Sequence, residues 1–279
     1  MANSIKNYVL KLQCHDHKGI VAKVSQFLFD QNTNIVCMDE YSSDLKGGEF
    51  FLRVEFCSEE GSSVAIDDIQ KNFLSLGQEL KANWRFFSQN DRLKMGILVS
   101  KPGHCLADLL YRWKSGDLPV EIPFVLSNHD VHRGLVEAYG IPYLVIEGKD
   151  DVLAKIQDKS DFLVLARYMQ ILSADFLKNC KQDVINIHHS FLPSFKGANP
   201  YAQAFERGVK VIGATAHFVT EQLDEGPIIE QEIARVTHRD STETLKRKGK
   251  NLEKVALAQA IEKYVEHKVF KCDKKTIVF

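Results

Sequence analysis

The N-terminal part of the chain combines strand-like alternation of apolar residues with helical spacing. Residues 20–30 and 66–77 carry apolar side chains three and four positions apart, which predicts two helices. Period-two alternation of β-branched and aromatic residues predicts the strands around them. These strands cover residues 8–14, 35–41, 49–57 and 80–87. The order β-α-β-β-α-β is that of the ferredoxin-like split unit, so residues 1–88 are predicted to form one α/β domain.

A second domain is predicted after a polar linker at residues 89–94. Strongly apolar strands alternate with helices through the rest of the chain, residues 95–279. The predicted strands cover residues 95–100, 120–127, 143–146, 161–166, 184–188, 211–219 and 227–236, and a long helix covers 242–267. Strands that alternate with helices form mainly parallel sheets covered on both faces, so we expect a Rossmann-like α/β domain.

The strand at residues 184–188 ends in polar side chains that break its apolar pattern. Asn186 and His188 are two positions apart, so they point to one face of the strand while Ile185 and Ile187 point to the other. Ligands of open parallel sheets bind just outside the carboxyl ends of the strands. Taken alone, however, an Asn-x-His sequence is better explained by side chains that cap the strand end.

A second polar segment, residues 219–229, favours a functional interpretation. It follows another apolar strand and places an acidic cluster that includes Asp224 before a Gly-Pro turn. An amide can polarise a carbonyl, and an imidazole can stabilise or protonate the tetrahedral species. A carboxylate can orient and charge the imidazole or accept a proton. Together, these groups suit acyl or formyl transfer.

Three sequence blocks in this region carry a resemblance to a known family. They are, in order, Asn-Ile-His-x-Ser-x-Leu-Pro, Gly-Ala-Thr-x-His-Phe-Val-Thr and Leu-Asp-x-Gly-Pro-Ile-Ile. Residues 95–270 resemble the tetrahydrofolate-dependent formyltransferases. The resemblance implies that Asn186, His188 and Asp224 form a catalytic trio. It also implies a folate-binding loop made of Arg167, Tyr168, Met169, Gln170, Ile171 and Leu172.

The N-terminal domain resembles an ACT domain over residues 6–87. The carrying motifs are Asp-x-x-Gly-Ile-Val-Ala, then Asn-Ile, then Gly-Glu-Phe-Phe-Leu-Arg-Val. The resemblance implies an amino-acid effector and pairing with further copies, hence a homo-oligomer. The candidate effector residues are Asp16, Gly19, Ile20 and Asn34, where the first turn of a helix offers free N–H groups. An N-capping role for Asp16 and a turn role for Gly19 explain the same residues.

One departure from the formyltransferase pattern bears on the substrate. The family members that formylate glycinamide ribonucleotide have a glycine-rich phosphate loop after the first strand. Residues 100–106 of this chain contain one glycine and one proline, which has no N–H, so they make a poor phosphate cradle. This departure argues against a ribonucleotide phosphate as acceptor.

An ACT domain before a formyltransferase-like domain resembles the formyltetrahydrofolate deformylase family. That resemblance implies hydrolysis of 10-formyltetrahydrofolate to formate and tetrahydrofolate, which would supply formate for purine synthesis and balance the folate pool. Two alternatives remain open at this point. One is a formyltransferase with an unidentified amine acceptor, and the other is a non-catalytic sensor of folate or amino acids.

Composition narrows the partners further. The chain has 279 residues and a net charge of −1, which gives no electrostatic reason to expect nucleic acid or a membrane surface as partner. Its six cysteines lack metal-ligand spacing and fit reduced thiols, so we expect no metal. The resemblance to the deformylase family implies that 10-formyltetrahydrofolate is the substrate and that no cofactor is bound. The N-terminus lacks the apolar core of a signal peptide, so a soluble, cytoplasmic protein is expected. His189 and His217 are interpreted as structural.

Overall fold

The computed structural model describes residues 7–44, 47–58, 65–146, 152–156, 158–194 and 200–279. Its contacts divide the chain into two compact units. The first comprises Met1–Arg92 together with Glu266–Phe270 and Phe279, and the second comprises Leu93–Val265 and Lys271–Val278. No helix in the described part of the chain has the length and apolar character needed to cross a membrane.

The first unit is built on a four-stranded antiparallel sheet with the order β2-β3-β1-β4. Its elements are β1 (Asn7–His15), α1 (Ile20–Asp30), β2 (Thr33–Ser42), β3 (Glu49–Ser58), α2 (Ile66–Glu79) and β4 (Asn83–Ser88). This is the predicted β-α-β-β-α-β order. Leu10 and Leu12 of β1 pack in one core with Val24 of α1 and Phe73 of α2, because alternate residues of a strand share a face.

A short segment from the end of the chain belongs to this first unit. Arg53 on β3 faces away from the main core, and only 1% of its surface is exposed. Its guanidinium donates to the Glu266 carbonyl at 2.8 Å and pairs with Glu55 at 2.5 Å. Phe51 meets Phe270 edge-on, with ring centroids 5.6 Å apart. A buried arginine in a β-strand is explained by this segment, which the sequence gives no means of predicting.

The second unit contains a seven-stranded sheet with the order β11-β10-β9-β8-β5-β6-β7. The strands are β5 (Met95–Val99), β6 (Val125–Ser127), β7 (Tyr143–Val145), β8 (Phe162–Leu165), β9 (Asp183–His188), β10 (Val211–Phe218) and β11 (Ile228–Arg235). The helices are α3 (His104–Ser115), α4 (Arg133–Ala138), α5 (Val152–Ile156), α6 (Ala174–Asn179), α7 (Pro200–Glu206) and α8 (Thr242–Val265). Five neighbouring strands, β9-β8-β5-β6-β7, are parallel, and β10 runs antiparallel to both of its neighbours, β9 and β11. The predicted mainly parallel sheet is confirmed.

Two details differ from the sequence prediction. The strand predicted over 120–127 is present only as β6, because Pro123 has no N–H to donate to a ladder. The chain also ends in an unpredicted hairpin of β12 (Val269–Cys272) and β13 (Lys275–Val278). Four-residue strands give too short an alternation to be recognised, and the turn residue Asp273 adopts a left-handed φ of 51°.

Strand register brings the polar ends of β9 and β10 together. His217 on β10 is the direct antiparallel partner of Asn186 on β9, and Thr215 is the partner of His188. Directly opposed residues of antiparallel strands place their side chains on the same face of the sheet. The register therefore adds His217 to the face that carries Asn186 and His188.

Candidate active site

A cavity of about 540 Å³ lies where β8, β9 and β10 end. Asn186, His188 and Asp224 all line this cavity. So do all six residues of the predicted folate-binding loop, Arg167–Leu172. Two apolar loop side chains, Met169 and Ile171, are 55% and 67% exposed. Apolar walls with a few placed polar groups are typical of sites for small organic ligands.

The buried His188 and the half-buried Asp224 form an imidazole–carboxylate pair. His188 Nδ1 lies 3.3 Å from Asp224 Oδ1. The other ring nitrogen, His188 Nε2, is buried and has no hydrogen-bond partner in the described part of the chain. Buried polar atoms without a partner are costly and are rare in folded proteins. Because His188 lines the cavity, its orphaned Nε2 marks a position where a ligand atom would be bound.

His217 fixes the geometry of the third member, Asn186. His217 Nδ1 donates to the Phe218 carbonyl at 2.8 Å, because a carbonyl oxygen can only accept. In the neutral ring, Nε2 then carries no proton and accepts from the Asn186 amide nitrogen at 3.2 Å. Burial lowers the pKa of His217 despite the Phe218 carbonyl and the nearby Asp224, which both act to raise it. His217 is therefore a buried residue, as expected, and it also contacts the trio directly through Asn186.

Asp224 is held as a carboxylate in a constrained loop. Burial acts to raise its pKa, but the hydrogen bond and charge of His188, with smaller effects from His217 and His189, bring the pKa below its usual value. Its backbone adopts a left-handed φ of 56°. Gly226 permits the turn that follows, because a Cβ at that position would lie 1.7 Å from the Phe218 carbonyl oxygen. Strained backbone of this kind is concentrated at functional sites.

The folate-binding loop is anchored through its backbone. Met169 N donates to Ser100 Oγ at 3.0 Å, and Ser100 Oγ donates to Asn128 Oδ1 at 2.8 Å. Tyr168 is buried in the core of the second unit, and Leu172 packs against the same core. The loop thus divides into two anchoring side chains and the exposed Met169 and Ile171.

A second buried carboxylate, Glu253 on α8, forms a cluster that the sequence did not predict. Glu253 is 1% exposed and interacts with His104 Nε2 at 2.7 Å, Tyr201 Oη at 2.8 Å and Arg167 Nε at 3.4 Å. Burial acts to raise the pKa of Glu253, but His104, Arg167 and Tyr201 together bring it below its usual value. The members come from α3, the loop after β8, α7 and α8, so no local pattern could have joined them.

The same cluster contains a set of potential metal ligands. Ligand atoms of His104, Cys105 and Glu253 lie within 4.8 Å of one another. The Arg167 guanidinium already neutralises Glu253, and burial raises the pKa of the Cys105 thiol, whereas metal ligation requires the thiolate. These contacts favour an ionic cluster over a metal centre, and the absence of a metal stays a prediction.

The side chain of His189 points in a different direction from the one expected from the sequence. Strand alternation would point it away from His188, yet both line the cavity, because His189 follows the last residue of β9 and the alternation ends there. Its ring centroid lies 5.1 Å from that of His188 and 6.2 Å from that of Tyr201. Burial, with the charges of Arg167 and His188, lowers the pKa of His189 to about 4. His189 therefore lies between the trio and the Glu253 cluster.

The candidate effector residues of the first unit have different local environments. Asp16 accepts a hydrogen bond from Ser42 Oγ at 2.6 Å, and the N-cap position of α1 is Gly19, with φ 93°. The expected N-capping role of Asp16 is therefore wrong. Ile20 is buried, so only its backbone N–H is available to a ligand, and Asn34 is exposed on β2.

Comparisons with known proteins agree with this architecture. An ACT domain family model matches residues 8–73, and a formyl transferase family model matches residues 93–261. The formyltetrahydrofolate deformylase of Bacillus subtilis is 45% identical, over 97% of this chain and 93% of that protein.

Solved structures give the same result. A formyltetrahydrofolate deformylase from Pseudomonas syringae has a TM-score of 0.93 and 42% identity, covering 99% of this chain and 95% of that one. A glycinamide ribonucleotide transformylase from Symbiobacterium toebii has a TM-score of 0.65 and 29% identity, covering 69% of this chain and 97% of that one. The transformylase thus matches a smaller part of the chain, whereas the deformylases match both units. This chain belongs to the formyltetrahydrofolate deformylase family.

Proposed function

We propose that this chain hydrolyses 10-formyltetrahydrofolate to formate and tetrahydrofolate, with Asn186, His188 and Asp224 carrying the chemistry. The observation that carries the residue assignment is the buried His188 Nε2, which lacks a partner among the described residues while His188 Nδ1 faces Asp224. A preorganised donor in a desolvated cavity stabilises developing negative charge more strongly than water does.

The proposed reaction begins with attack of water on the formyl carbon. Asp224 accepts the proton that water loses. His188 Nε2–H and the second amide hydrogen of Asn186 donate to the formyl oxygen as it becomes an oxyanion. The C–N10 bond then breaks, and N10 takes from Asp224 the proton that water lost. The formic acid formed in this step ionises and releases one proton. The products are the secondary amine of tetrahydrofolate and formate.

Folate binding is assigned to the loop Arg167–Leu172. Met169 and Ile171 expose apolar surface at the cavity and suit the faces of a pterin ring. Backbone groups of the loop would form hydrogen bonds with the ring edges, since the loop is held by Ser100. No bound cofactor or metal is included in this proposal, because the substrate carries the formyl group itself.

The alternatives drawn from the sequence are not favoured. A transferase that uses an unidentified amine and a non-catalytic sensor both lack support among the full-length relatives, which are named deformylases. The match to the transformylase covers 69% of this chain, whereas the deformylase from P. syringae covers 99% of it.

The first unit is proposed to regulate the second. An amino-acid effector would bind near Asp16, Gly19, Ile20 and Asn34, and the ACT domain would pair with a further copy of the chain. All six cysteines are free thiols, which supports the proposed cytoplasmic, reducing environment. Light scattering at micromolar concentration should give a mass above that of the 31.7 kDa monomer. A fully active monomer would contradict the oligomer.

The function is tested by incubating the purified protein with 10-formyltetrahydrofolate alone and assaying formate and tetrahydrofolate. Equimolar formation of both products is expected, and it should persist after exhaustive chelation of metals. A requirement for an added amine would support the transferase instead. Loss of activity on chelation, with recovery on adding zinc, would overturn the metal-free mechanism.

A further inference from the structure

The cavity contains a cationic side chain that the hydrolytic mechanism does not use. Among the described lining residues, Arg167 is the only lysine or arginine, and its side chain is 12% exposed. Its backbone adopts a left-handed φ of 65°, which L-residues other than asparagine and aspartate rarely adopt. A glycine would fit this backbone without strain, so the position retains arginine at a conformational cost.

Glu253 holds this guanidinium from one side. Its carboxylate lies 3.4 Å from Arg167 Nε and is itself fixed by His104 and Tyr201. Arg167 Nε is nevertheless buried without a hydrogen-bond partner in the part of the chain that the structure describes. The Glu253 cluster therefore fixes the position of the cation and leaves donor capacity of the guanidinium unused.

Arg167 also lies close to the reacting groups. The ring of His189 is within 5.1 Å of the His188 ring and 6.2 Å of the Tyr201 ring, centroid to centroid, so it joins the trio to the Glu253 cluster. Burial lowers the pKa of His189, and the charge of Arg167 acts in the same direction, which places the guanidinium near this imidazole. The guanidinium and the trio are thus separated by one side chain.

Hydrolysis creates an electrostatic problem that this cation can relieve. Water adds to the formyl carbon, the C–N10 bond breaks, N10 gains a proton and the carboxylic acid loses one, so an anion appears in the cavity. The lining already contains the carboxylates Asp224 and Glu221. Formate beside Asp224 would be repelled unless a cation is close, and the planar fork of an arginine matches the two oxygens of a carboxylate.

We propose that Arg167, positioned by Glu253, forms a carboxylate-binding subsite of the cavity that holds the formate released by hydrolysis. Arg167 is a binding residue in this assignment, and Glu253 is a positioning residue. The inference rests on the proposed function, since a transferase would release no formate here. A carboxylate in the cavity has a second possible source, the glutamate moiety of folate itself, and the experiment separates the two.

Direct binding of [¹³C]formate to the folded protein, followed by NMR without folate, is the primary measurement. Arg167→Gly suits the left-handed backbone and removes the charge. Arg167→Lys keeps the charge but lacks the planar guanidinium that can donate two hydrogen bonds to one carboxylate. Arg112→Gln removes an arginine paired with Asp108 on α3, outside the cavity, and serves as the matched control. The formate Kd should rise at least about tenfold in Arg167→Gly, less in Arg167→Lys, and not in Arg112→Gln.

Steady-state kinetics provide the second measurement. Product inhibition by formate should weaken in Arg167→Gly by the same factor as binding. The contrary result is an increased KM for 10-formyltetrahydrofolate that is not seen with 10-formyltetrahydropteroate, which lacks the glutamate, while formate binding is unchanged. That result would assign Arg167 to the glutamate moiety of the substrate and overturn the proposal. A formate Kd within twofold of wild type in a folded Arg167→Gly protein would overturn it too.

If Arg167→Gly fails to fold, the formate affinity of Arg167→Lys tests the proposal. Unchanged formate binding by Arg167→Lys would contradict a subsite that depends on the paired N–H donors of the guanidinium. Absence of hydrolysis by the wild-type protein would refute the proposed function, whereas loss of formate binding is measured without turnover. The two failures are therefore distinguishable.

Discussion

Two carboxylates beside imidazoles in the described part of the second unit, the half-buried Asp224 and the buried Glu253, differ in how completely they are satisfied. Asp224 Oδ1 lies 3.3 Å from His188 Nδ1, and Glu253 Oε2 lies 2.7 Å from His104 Nε2. Both carboxyl groups have a pKa below its usual value, because nearby hydrogen-bond donors and positive charges outweigh the effect of burial. By composition, the two sites are hard to tell apart.

Their hydrogen bonding separates them. Glu253 uses both carboxylate oxygens, one for Tyr201 and one for His104, and Arg167 lies beside the second oxygen. The cluster of Asp224 leaves His188 Nε2 buried and without a partner among the described residues. The Glu253 cluster also leaves one buried nitrogen, Arg167 Nε, without a partner among the described residues, but its carboxylate has both oxygens hydrogen-bonded. A carboxylate with both oxygens satisfied holds elements together, whereas an unsatisfied buried imidazole nitrogen beside Asp224 on the cavity wall requires a ligand. The comparison therefore assigns chemistry to Asp224 and support to Glu253.

The largest expected effect is that of Asp224→Asn on catalysis. Asparagine tolerates the left-handed backbone of this position, so shape and fold should be retained while the charge is lost. General acid–base groups contribute about 10²- to 10⁴-fold, so kcat should fall by such a factor while KM changes little. Steady-state formate assays and thermal unfolding of the same preparation measure the two quantities.

A purely structural role for Asp224 predicts a different result. If the residue only shapes the turn before Pro227, the variant should unfold at lower temperature and keep kcat within a few-fold. His188→Asn should match Asp224→Asn, and the double variant should be little worse than either single one, because groups that act as a unit are not additive. Additive losses would argue for two independent roles.

Glu253→Gln is the matched amide change in the second cluster, and stability is the quantity that should respond. The neutral amide would leave Arg167 without a counter-charge and remove the carboxylate that His104 Nε2 contacts, and removing one partner of a buried pair costs about 3 kcal/mol. Urea unfolding should show that loss, with kcat reduced far less than in Asp224→Asn. Tyr201→Phe removes one hydrogen bond of the cluster and should cost about 1 kcal/mol. A stable Glu253→Gln protein with kcat as low as that of Asp224→Asn would reverse the assignment.

The contrast also shows what sequence reasoning could reach. Asn186 and His188 lie at the carboxyl end of β9, so period-two alternation and the strand-end rule identify them. Asp224 lies in the acidic segment that follows β10. Glu253 lies on α8 among charged residues that are typical of a solvated face, and its partners are up to 149 positions away. Such a cluster has no local period, and only tertiary packing creates it.

The same limit applies to the fold. Strongly apolar strands such as β5 and β8 can be identified from the sequence because every residue in them is buried. The covering of Arg53 by the segment around Glu266 depends on contacts between residues more than 200 positions apart. Helical and strand periodicities carry no information about such pairings.

His217 tests how the orientation of Asn186 is maintained, with a smaller expected effect. His217→Phe preserves bulk but removes the Nε2 acceptor, so the amide can rotate and present its oxygen to the formyl oxygen. We expect kcat to fall about tenfold, the lower end of what a misoriented donor costs. His217→Gln, which restores an acceptor, should recover part of the loss. Equal activity of both variants would show that His217 only packs.

The smallest expected effect concerns His189, which lies between the two clusters. Its pKa in the folded protein is about 4, below the ordinary histidine value of 6.5, because burial and the charge of Arg167 disfavour the imidazolium. The folded state therefore favours the neutral ring. This contribution to stability is complete above pH 6.5 and is lost as the pH falls from 6.5 towards 4.

Replacing His189 with glutamine should remove that pH-dependent contribution. Between pH 7.5 and pH 6, wild type should lose about 1 kcal/mol more unfolding free energy than His189→Gln, since one pKa unit corresponds to about 1.4 kcal/mol. Urea unfolding of both proteins at the two pH values gives the difference. His217 and His267, whose pKa values are also lowered, titrate in both proteins and cancel in the subtraction. Parallel pH profiles would mean that His189 is hydrated in the folded protein, and the electrostatic link between the Asp224 and Glu253 clusters would then be absent.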